Sequence, residues 1–366
     1  MPNNATSHFL KKYGASTVGD TPPQPNVPRD PDDADDDKKP TVDRTIEFPE
    51  GDWKPVIIAE APARAGEFPV RFIDGSHTGL PVLCVRTEQG WPIPLMLCEV
   101  GAVTLRSVGR GFEREFVAVD RVLSFVADPF PWDEVEAFAT DLANKPELQL
   151  RVLPANLPDL TQHSPHDYEV MRSQARARAV QEMANLERLA LAVNRNAATL
   201  VDGPLSRVTG NPPADSPLLI GIAKTQASAY LHDAGWRTLL SLRPGQRTPV
   251  FKIAGVDGKN EGRISVATWF LKLSGGSQLA PNWGYVRVEV PWNQFAEKFP
   301  NDFSFVDRLS RWLIDARCRA SSYARMPVSL EPIVRAEDSL KPLFTPFPVL
   351  VNRLYRTAGF FRGGEL

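Results

Sequence analysis

The order of elements in this sequence predicts an α/β domain built on a mixed sheet with flanking helices. Three observations carry that expectation. Runs rich in Val, Ile, Leu and Phe recur from Phe68 to Val290. One long stretch without glycine or proline, Tyr168 to Asn196, interrupts them. Helix and strand patterns alternate in the second half, and no internal repeat of fixed period is present.

The first 45 residues read as a separate arm. From residue 14 onward the arm is low in complexity, with Pro22, Pro23, Pro25, Pro28, Pro31 and Pro40 breaking any helix or ladder. Asp30, Asp32, Asp33, Asp35, Asp36 and Asp37 form an acidic run. Such a segment buries too little apolar surface to offset its ordering entropy, which predicts a disordered acidic and Pro-rich arm over 1–45. A tail that docks a partner or mimics DNA charge fits the same composition.

The globular body, 46–366, is one domain with insertions. Phe68 to Ile73 reads as a strand that stops at Asp74-Gly75-Ser76. Pro94 to Val108 and Glu113 to Ala127 read as two longer strands joined by a turn at Gly109-Arg-Gly111. Pro129 to Asp159 reads as mixed helix and loop. Tyr168 to Asn196 is the strongest helix, with Asp167 placed to cap it. Ala197 to Val201 and Leu218 to Ile222 follow as short buried strands. Lys224 then opens a predicted helix to about residue 234. Phe251 to Ala254, Ile264 to Leu273 and Tyr285 to Val290 are further strands, and Phe303 to Tyr323 is a helix.

Composition excludes several classes. The 366 residues are 42% hydrophobic and 23% charged, ordinary for a globular protein with a sizeable core. The net charge of -2 excludes a grossly basic nucleic-acid binder. Three scattered cysteines, Cys84, Cys98 and Cys318, provide neither a disulfide framework nor a metal knuckle. With no apolar run long enough for a membrane helix and no signal core at the N-terminus, the expectation is a cytoplasmic protein without a membrane partner. There is no GxxxxGK[ST] and no GxSxG. His163 and His166 make an HxxH without the glutamate of a zincin.

Candidate chemistry gathers around carboxylates. Asp74 and Asp202 each end an apolar strand and precede a glycine. A carboxylate at a strand end lies where open α/β sheets build their sites. An Asp-Gly pair is equally an ordinary turn. In the long helix, Leu186, Leu189 and Val193 define an apolar stripe, and counting back four from Leu186 reaches Glu182. Glu187 is expected to point to solvent. Glu182 between the two aspartates suggests a shared hard cation, Mg2+ or Mn2+. A helix-edge residue reaching water is the alternative. Lys224, directly after Leu-Leu-Ile-Gly-Ile-Ala, suits either a phosphate contact or a surface position. Arg207 lies just past the second Asp-Gly and is a second candidate for phosphate. Alternation puts Tyr285, Arg287 and Glu289 on one face of their strand, as the wall of a charged groove or as a sheet surface in water.

Taken together, Ile-Asp74-Gly-Ser76, the long Arg/Glu helix, Leu-Val-Asp202-Gly-Pro-Leu205, Ile-Gly-Ile-Ala-Lys224-Thr and Tyr-Val-Arg287-Val-Glu289-Val-Pro resemble the NurA nuclease family over roughly residues 65 to 340. The resemblance implies an RNase H-like core and a Mn2+-dependent (or Mg2+-dependent) DNA nuclease. It implies cutting of single strands and 5'-to-3' end resection, as a homodimer on a HerA-like hexameric ATP-driven translocase, in DNA repair or anti-phage defence. Residue by residue, Asp74 and Asp202 match the family's two aspartates and Lys224 its lysine. Glu182, twenty residues before Asp202, matches the helix glutamate. Catalytic and metal roles thus fall to Asp74, Glu182 and Asp202, with Lys224 catalytic and Arg207 and Arg287 on DNA. The family's C-terminal Tyr-Pro and Ala-His are departed from: Met326 precedes Pro327, and no histidine follows His232. An inactive, DNA-clamping subunit of the same translocase complex is the alternative, and a plain α/β scaffold whose Asp-Gly pairs are turns is the third.

The charge is unevenly spread. Residues 1–45 hold six of the 42 Lys/Arg and eight of the 44 Asp/Glu, which leaves the body balanced at 36 of each. Within it, 169–196 carries five Arg against three Glu, and 307–366 carries ten Lys/Arg against six Asp/Glu. Basic surfaces around a carboxylate site, with phosphate contacts partly left to a partner, are compatible with that pattern.

Overall fold

A computed structural model describes residues 5–18, 41–60, 67–193, 195–207, 210–224, 230–255, 264–274, 284–319 and 329–360. In chain order the elements are α1 (Ala5–Lys12), β1 (Ser16–Thr17), β2 (Thr41–Asp43), β3 (Val56–Ile57), β4 (Arg71–Arg86), β5 (Pro92–Val108), β6 (Gly111–Val126), α2 (Trp132–Ala143), β7 (Leu150–Ala155) and α3 (Tyr168–Ala192). There follow β8 (Thr199–Asp202), β9 (Leu219–Ala223), α4 (Asp233–Ser241), β10 (Gln246–Arg247), β11 (Phe251–Ala254), β12 (Val266–Lys272), β13 (Tyr285–Pro291), α5 (Trp292–Lys298), α6 (Phe303–Asp315), α7 (Glu331–Leu340) and α8 (Phe347–Ala358).

All thirteen strands belong to one mixed sheet, in the order β2-β11-β12-β13-β9-β8-β4-β5-β6-β7 with three short strands off that path. The expected α/β class with a mixed sheet and flanking helices therefore holds. At its centre β9, β8 and β4 run parallel, Thr199–Val201 pairing with Arg71–Ile73 on one side and Thr199–Asp202 with Leu219–Ile222 on the other. Antiparallel β13 and β12 extend one flank; β5 and β6 extend the other.

Helix α3 covers one face of the centre. Its small residues Ala175, Ala179 and Ala190 are fully buried, which lets the helix backbone lie close to the sheet. Asp167 caps it, accepting from the Glu169 and Val170 amides at 3.0 and 3.3 Å. Helices α6 and α7 cover the opposite face, with Phe305, Leu309 and Ile333 on Phe72, Leu200 and Ile220, and Ala336 and Leu340 on Val103 and Leu105. A further core lies over the far ends of β4–β6, where α1, α2 and α8 converge on Phe125 and Leu95.

Four expectations change. The strand beginning near Phe68 does not stop at Asp74: β4 continues to Arg86 because β5 pairs with it along nearly its whole length. Only the parallel pairing to β8 stops there. The region 129–159 contains a strand, β7, alongside its helix. The arm is ordered at both ends, since α1 buries Phe9 and Leu10 and β2 pairs with β11; its middle, 19–40, lies outside the described residues. Of the helix expected after Lys224, residues 225–229 also lie outside them, and the helix that follows begins at Asp233.

Candidate active site

Three neighbouring parallel strands deliver a charged residue at the same end. The β4–β8 ladder ends at Ile73↔Val201, so Asp74 and Asp202 occupy the next position of a common register. Parallel partners in register share a face about 4.8 Å apart. Lys224 follows the last residue of β9, two positions beyond Ile222, the partner of Asp202. Its ammonium lies 2.9 Å from the Asp202 carboxylate. This rim is the carboxyl end of the parallel strands, where α/β sheets place ligands.

Asp74 is 5% exposed, and no hydrogen bond or ion pair reaches its carboxylate from the described residues. Burial, then the nearby Asp202 charge, pushes its pKa well above the usual carboxylate range, against the opposing pull of Lys224. A buried carboxylate beside another carboxylate, without its own donor, is costly unless a proton or a cation joins it.

The glycine of each Asp-Gly pair has its own reason. Alternation points Asp74 toward α7 and Gly75 toward α3. A Cβ at Gly75 would stand 2.5 Å from Glu187 Oε1 and 3.0 Å from Met183 Cγ. Gly203, at φ +108°, faces the Arg207 guanidinium, 3.3 Å from a Cβ placed there. Arg207 bridges the two sites: its Nη2 donates to both Glu187 oxygens at 2.8 and 2.9 Å and to the Asp202 carbonyl at 3.3 Å.

The structure therefore brings Asp74, Asp202, Lys224, Arg207 and Glu187 together and leaves Glu182 out. The solvent orientation expected of Glu187 is wrong: it is fully buried. The helix presents the row Met171, Ala175, Ala179, Met183, Glu187 to the sheet, whereas Leu189 and Val193 are 55% and 42% exposed. Glu182 is buried as expected, but on the β7 side, where it accepts from Arg151 and from Asn185 at 3.0 Å. Their pKa values move in opposite directions. Burial raises Glu187 more than Arg207 lowers it. For Glu182 burial acts upward too, yet the bonds from Arg151 and Asn185 hold it below the ordinary value. The signal for Glu187 was present in the four-residue spacing of alanines and methionines, a stripe less apolar than the leucines beside it.

Arg287 is buried. It pairs with Glu289 at 2.8 Å and lies over the Tyr230 ring at 4.5 Å. Glu289 in turn accepts from the Leu205 amide at 2.8 Å, tying the segment after Asp202 to β13. Gly221 opposite Glu289 admits Leu205, whose Cγ would lie 2.8 Å from a Cβ there. The segment 325–328 lies outside the described residues. The three cysteines are free thiols, and burial pushes Cys98 up to about 12.

Among the described residues no three His, Cys, Asp or Glu side chains converge as a ready-made metal cage. Asp74 and Asp202 nevertheless fit a hard divalent ion: two oxygen-donor carboxylates, one without a donor among the described residues, at the carboxyl ends of parallel strands. Mg2+ is commonly held by one or two carboxylates with water completing its shell.

No family model matches this chain, and no curated protein sequence matches it. Five chains among solved structures match. One is the crystal structure of the NurA nuclease from Sulfolobus solfataricus, 12% identical, with 84% of this chain and 89% of that chain covered and a TM-score of 0.42.

Proposed function

We propose that this chain is a divalent-cation-dependent deoxyribonuclease whose site is the Asp74–Asp202–Lys224 rim, with Glu187 rather than Glu182 as its helix carboxylate. One observation carries the reading: an unpartnered buried Asp74 in register with Asp202 at the carboxyl ends of parallel strands. The sequence resemblance to NurA nucleases supplies the substrate class. Mn2+ or Mg2+ held by Asp74 and Asp202 would neutralise charge on a phosphodiester and its leaving oxygen. The chain's own groups do the positioning. Asp202 aims the Lys224 ammonium, a donor suited to a phosphate oxygen. Glu187 fixes Arg207, which in turn holds the Asp202 backbone. Within the same reading fall a homodimeric assembly, a HerA-like hexameric translocase that feeds DNA, and a role in end resection during repair or in anti-phage defence.

A second reading, a DNA-clamping subunit without cutting activity, is favoured by the two internal cations. Lys224 already neutralises Asp202 and Arg207 already neutralises Glu187. Cleavage of single-stranded and linear duplex DNA in Mn2+ and in Mg2+, with and without the translocase, separates the two. The nuclease reading expects cutting by the parent and none by Asp74→Ala or Asp202→Ala. If both variants cut like the parent, the assigned site is wrong; if the parent binds DNA and never cuts with its translocase present, the clamp reading replaces it.

A further inference from the structure

A cleft of about 460 Å³ runs along the outer side of α3 toward the segment after Asp202. Gln174, Arg178, Gln181 and Arg188 line it from the helix, Asn156 from beyond β7, and Arg207 from the site itself. These helix positions repeat at three, four and seven residues, so they form one stripe. From Gln174 to Arg188 the stripe spans roughly 20 Å at the rise of an α-helix. Three guanidinium groups line this space, and none of its described lining residues is a carboxylate.

Two of the cleft's arginines also keep a nitrogen without an acceptor inside the protein, out of contact with solvent. Arg178 Nη1 and Arg207 Nε have no hydrogen-bond partner among the described residues. Arg178 Nη1 stands 3.5 Å from Glu182 Oε2, within ion-pair range but without a hydrogen bond. Glu187 occupies only Nη2 of Arg207 among its side-chain contacts. A buried guanidinium donor without an acceptor costs free energy. Three guanidinium groups on one cleft suit an anion with several acceptor oxygens, and the arginine fork matches phosphate geometry.

We infer that this cleft binds the phosphodiester backbone of a nucleic-acid single strand and leads it to Arg207, the residue shared with the carboxylate rim. The length of the stripe favours a chain of phosphates over one isolated anion. The identity of the strand as substrate rests on the nuclease reading; the anion site itself rests on the cleft.

Fluorescence anisotropy of the full chain with a labelled single-stranded oligonucleotide, in EDTA across a salt series, tests this. Arg178→Gln and Arg188→Gln are each expected to weaken binding several-fold and to flatten the slope of log K against log salt by about one. Arg178→Lys, which keeps the charge, is expected to recover most of the affinity, and Gln181→Arg to exceed the parent. Unchanged melting temperatures of these variants separate loss of a contact from loss of fold. Equal affinity and slope in the parent and the Arg178→Gln/Arg188→Gln variant overturns the inference. So does displacement of the oligonucleotide by inorganic phosphate as effectively as by unlabelled strand, which makes a free anion the occupant. Weakened binding in this double variant, with cutting that survives Asp74→Ala, leaves the cleft standing and removes the nuclease assignment. Undiminished binding with cutting abolished by Asp74→Ala does the reverse.

Discussion

Between β10 and α6, Arg247 donates to both oxygens of Glu47 at 2.7 and 2.8 Å and to Asp307 at 2.7 Å. The Val250 amide at 2.8 Å and the Ala59 amide at 3.3 Å complete the two carboxylates. Arg308 treats Glu67 in the same bidentate way, at 2.7 and 2.6 Å. At the β4–β8 rim the inventory is different. Asp74 accepts from no described residue, sits beside Asp202, and is raised by burial and by that neighbour. The first region spends its buried charges on closing the fold. The second keeps an acceptor open at a strand end, and an open carboxylate acceptor is what a cation requires.

The contrast predicts opposite stability effects. Arg247→Leu strands Glu47 and Asp307 without their cation, and is expected to destabilise by about 3–5 kcal/mol in denaturant titration. Gly75→Ala drives a methyl group onto the Glu187 carboxylate and is expected to cost about 1–3 kcal/mol. It also displaces Arg207 from Asp202, so cutting falls with it. Were Gly75→Ala neutral in both respects, the close packing of Glu187 under β4 would not be the reason for that glycine.

Asp74→Asn has the opposite sign. Removing the carboxylate relieves burial and repulsion, with an expected gain on the order of 1 kcal/mol at neutral pH while cutting is lost. The raised pKa sets the pH window. Between the unfolded-state value and the higher folded one, the folded chain holds the proton that the unfolded chain has released, so stability falls as pH rises. The advantage of Asp74→Asn over the parent is therefore absent in acid, grows upward from the ordinary Asp range and levels off above the folded pKa. Parallel melting curves across pH for the two proteins check this, and a constant difference contradicts it.

How far the sequence could be read differs between these regions for physical reasons. The strands from Phe251 to Pro291 alternate or run apolar, so composition alone locates them. The aspartates were legible because each closes an apolar run before a glycine. Glu187 was not, because a helix lying close to a sheet uses alanine at the contact, and alanine carries little hydropathy signal. The leucine stripe of Leu186 and Leu189 sets a phase for α3 that puts Glu187 in solvent, whereas the structure buries it fully and exposes Leu189. Arg247 and Arg308 gave no local sign, since Glu47 and Glu67 are 200 and 241 residues away in the chain.

The two glutamates of α3 provide the finest version of the contrast. Glu182 accepts from Arg151 and Asn185 and lies near Arg178, and Arg151 is 48% exposed at its side chain. Water competes for such a pair, so Glu182→Gln is expected to cost less than about 1 kcal/mol. Its held-down pKa means that this contribution is present above the unfolded-state value and is lost as pH falls through the folded one. Parent and variant should then converge in acid. Cutting is expected to persist in Glu182→Gln and to drop in Glu187→Gln, because only Glu187 holds the arginine that touches Asp202. A cleavage assay in which Glu182→Gln is the inactive one would return the site to the phase that the leucines suggest.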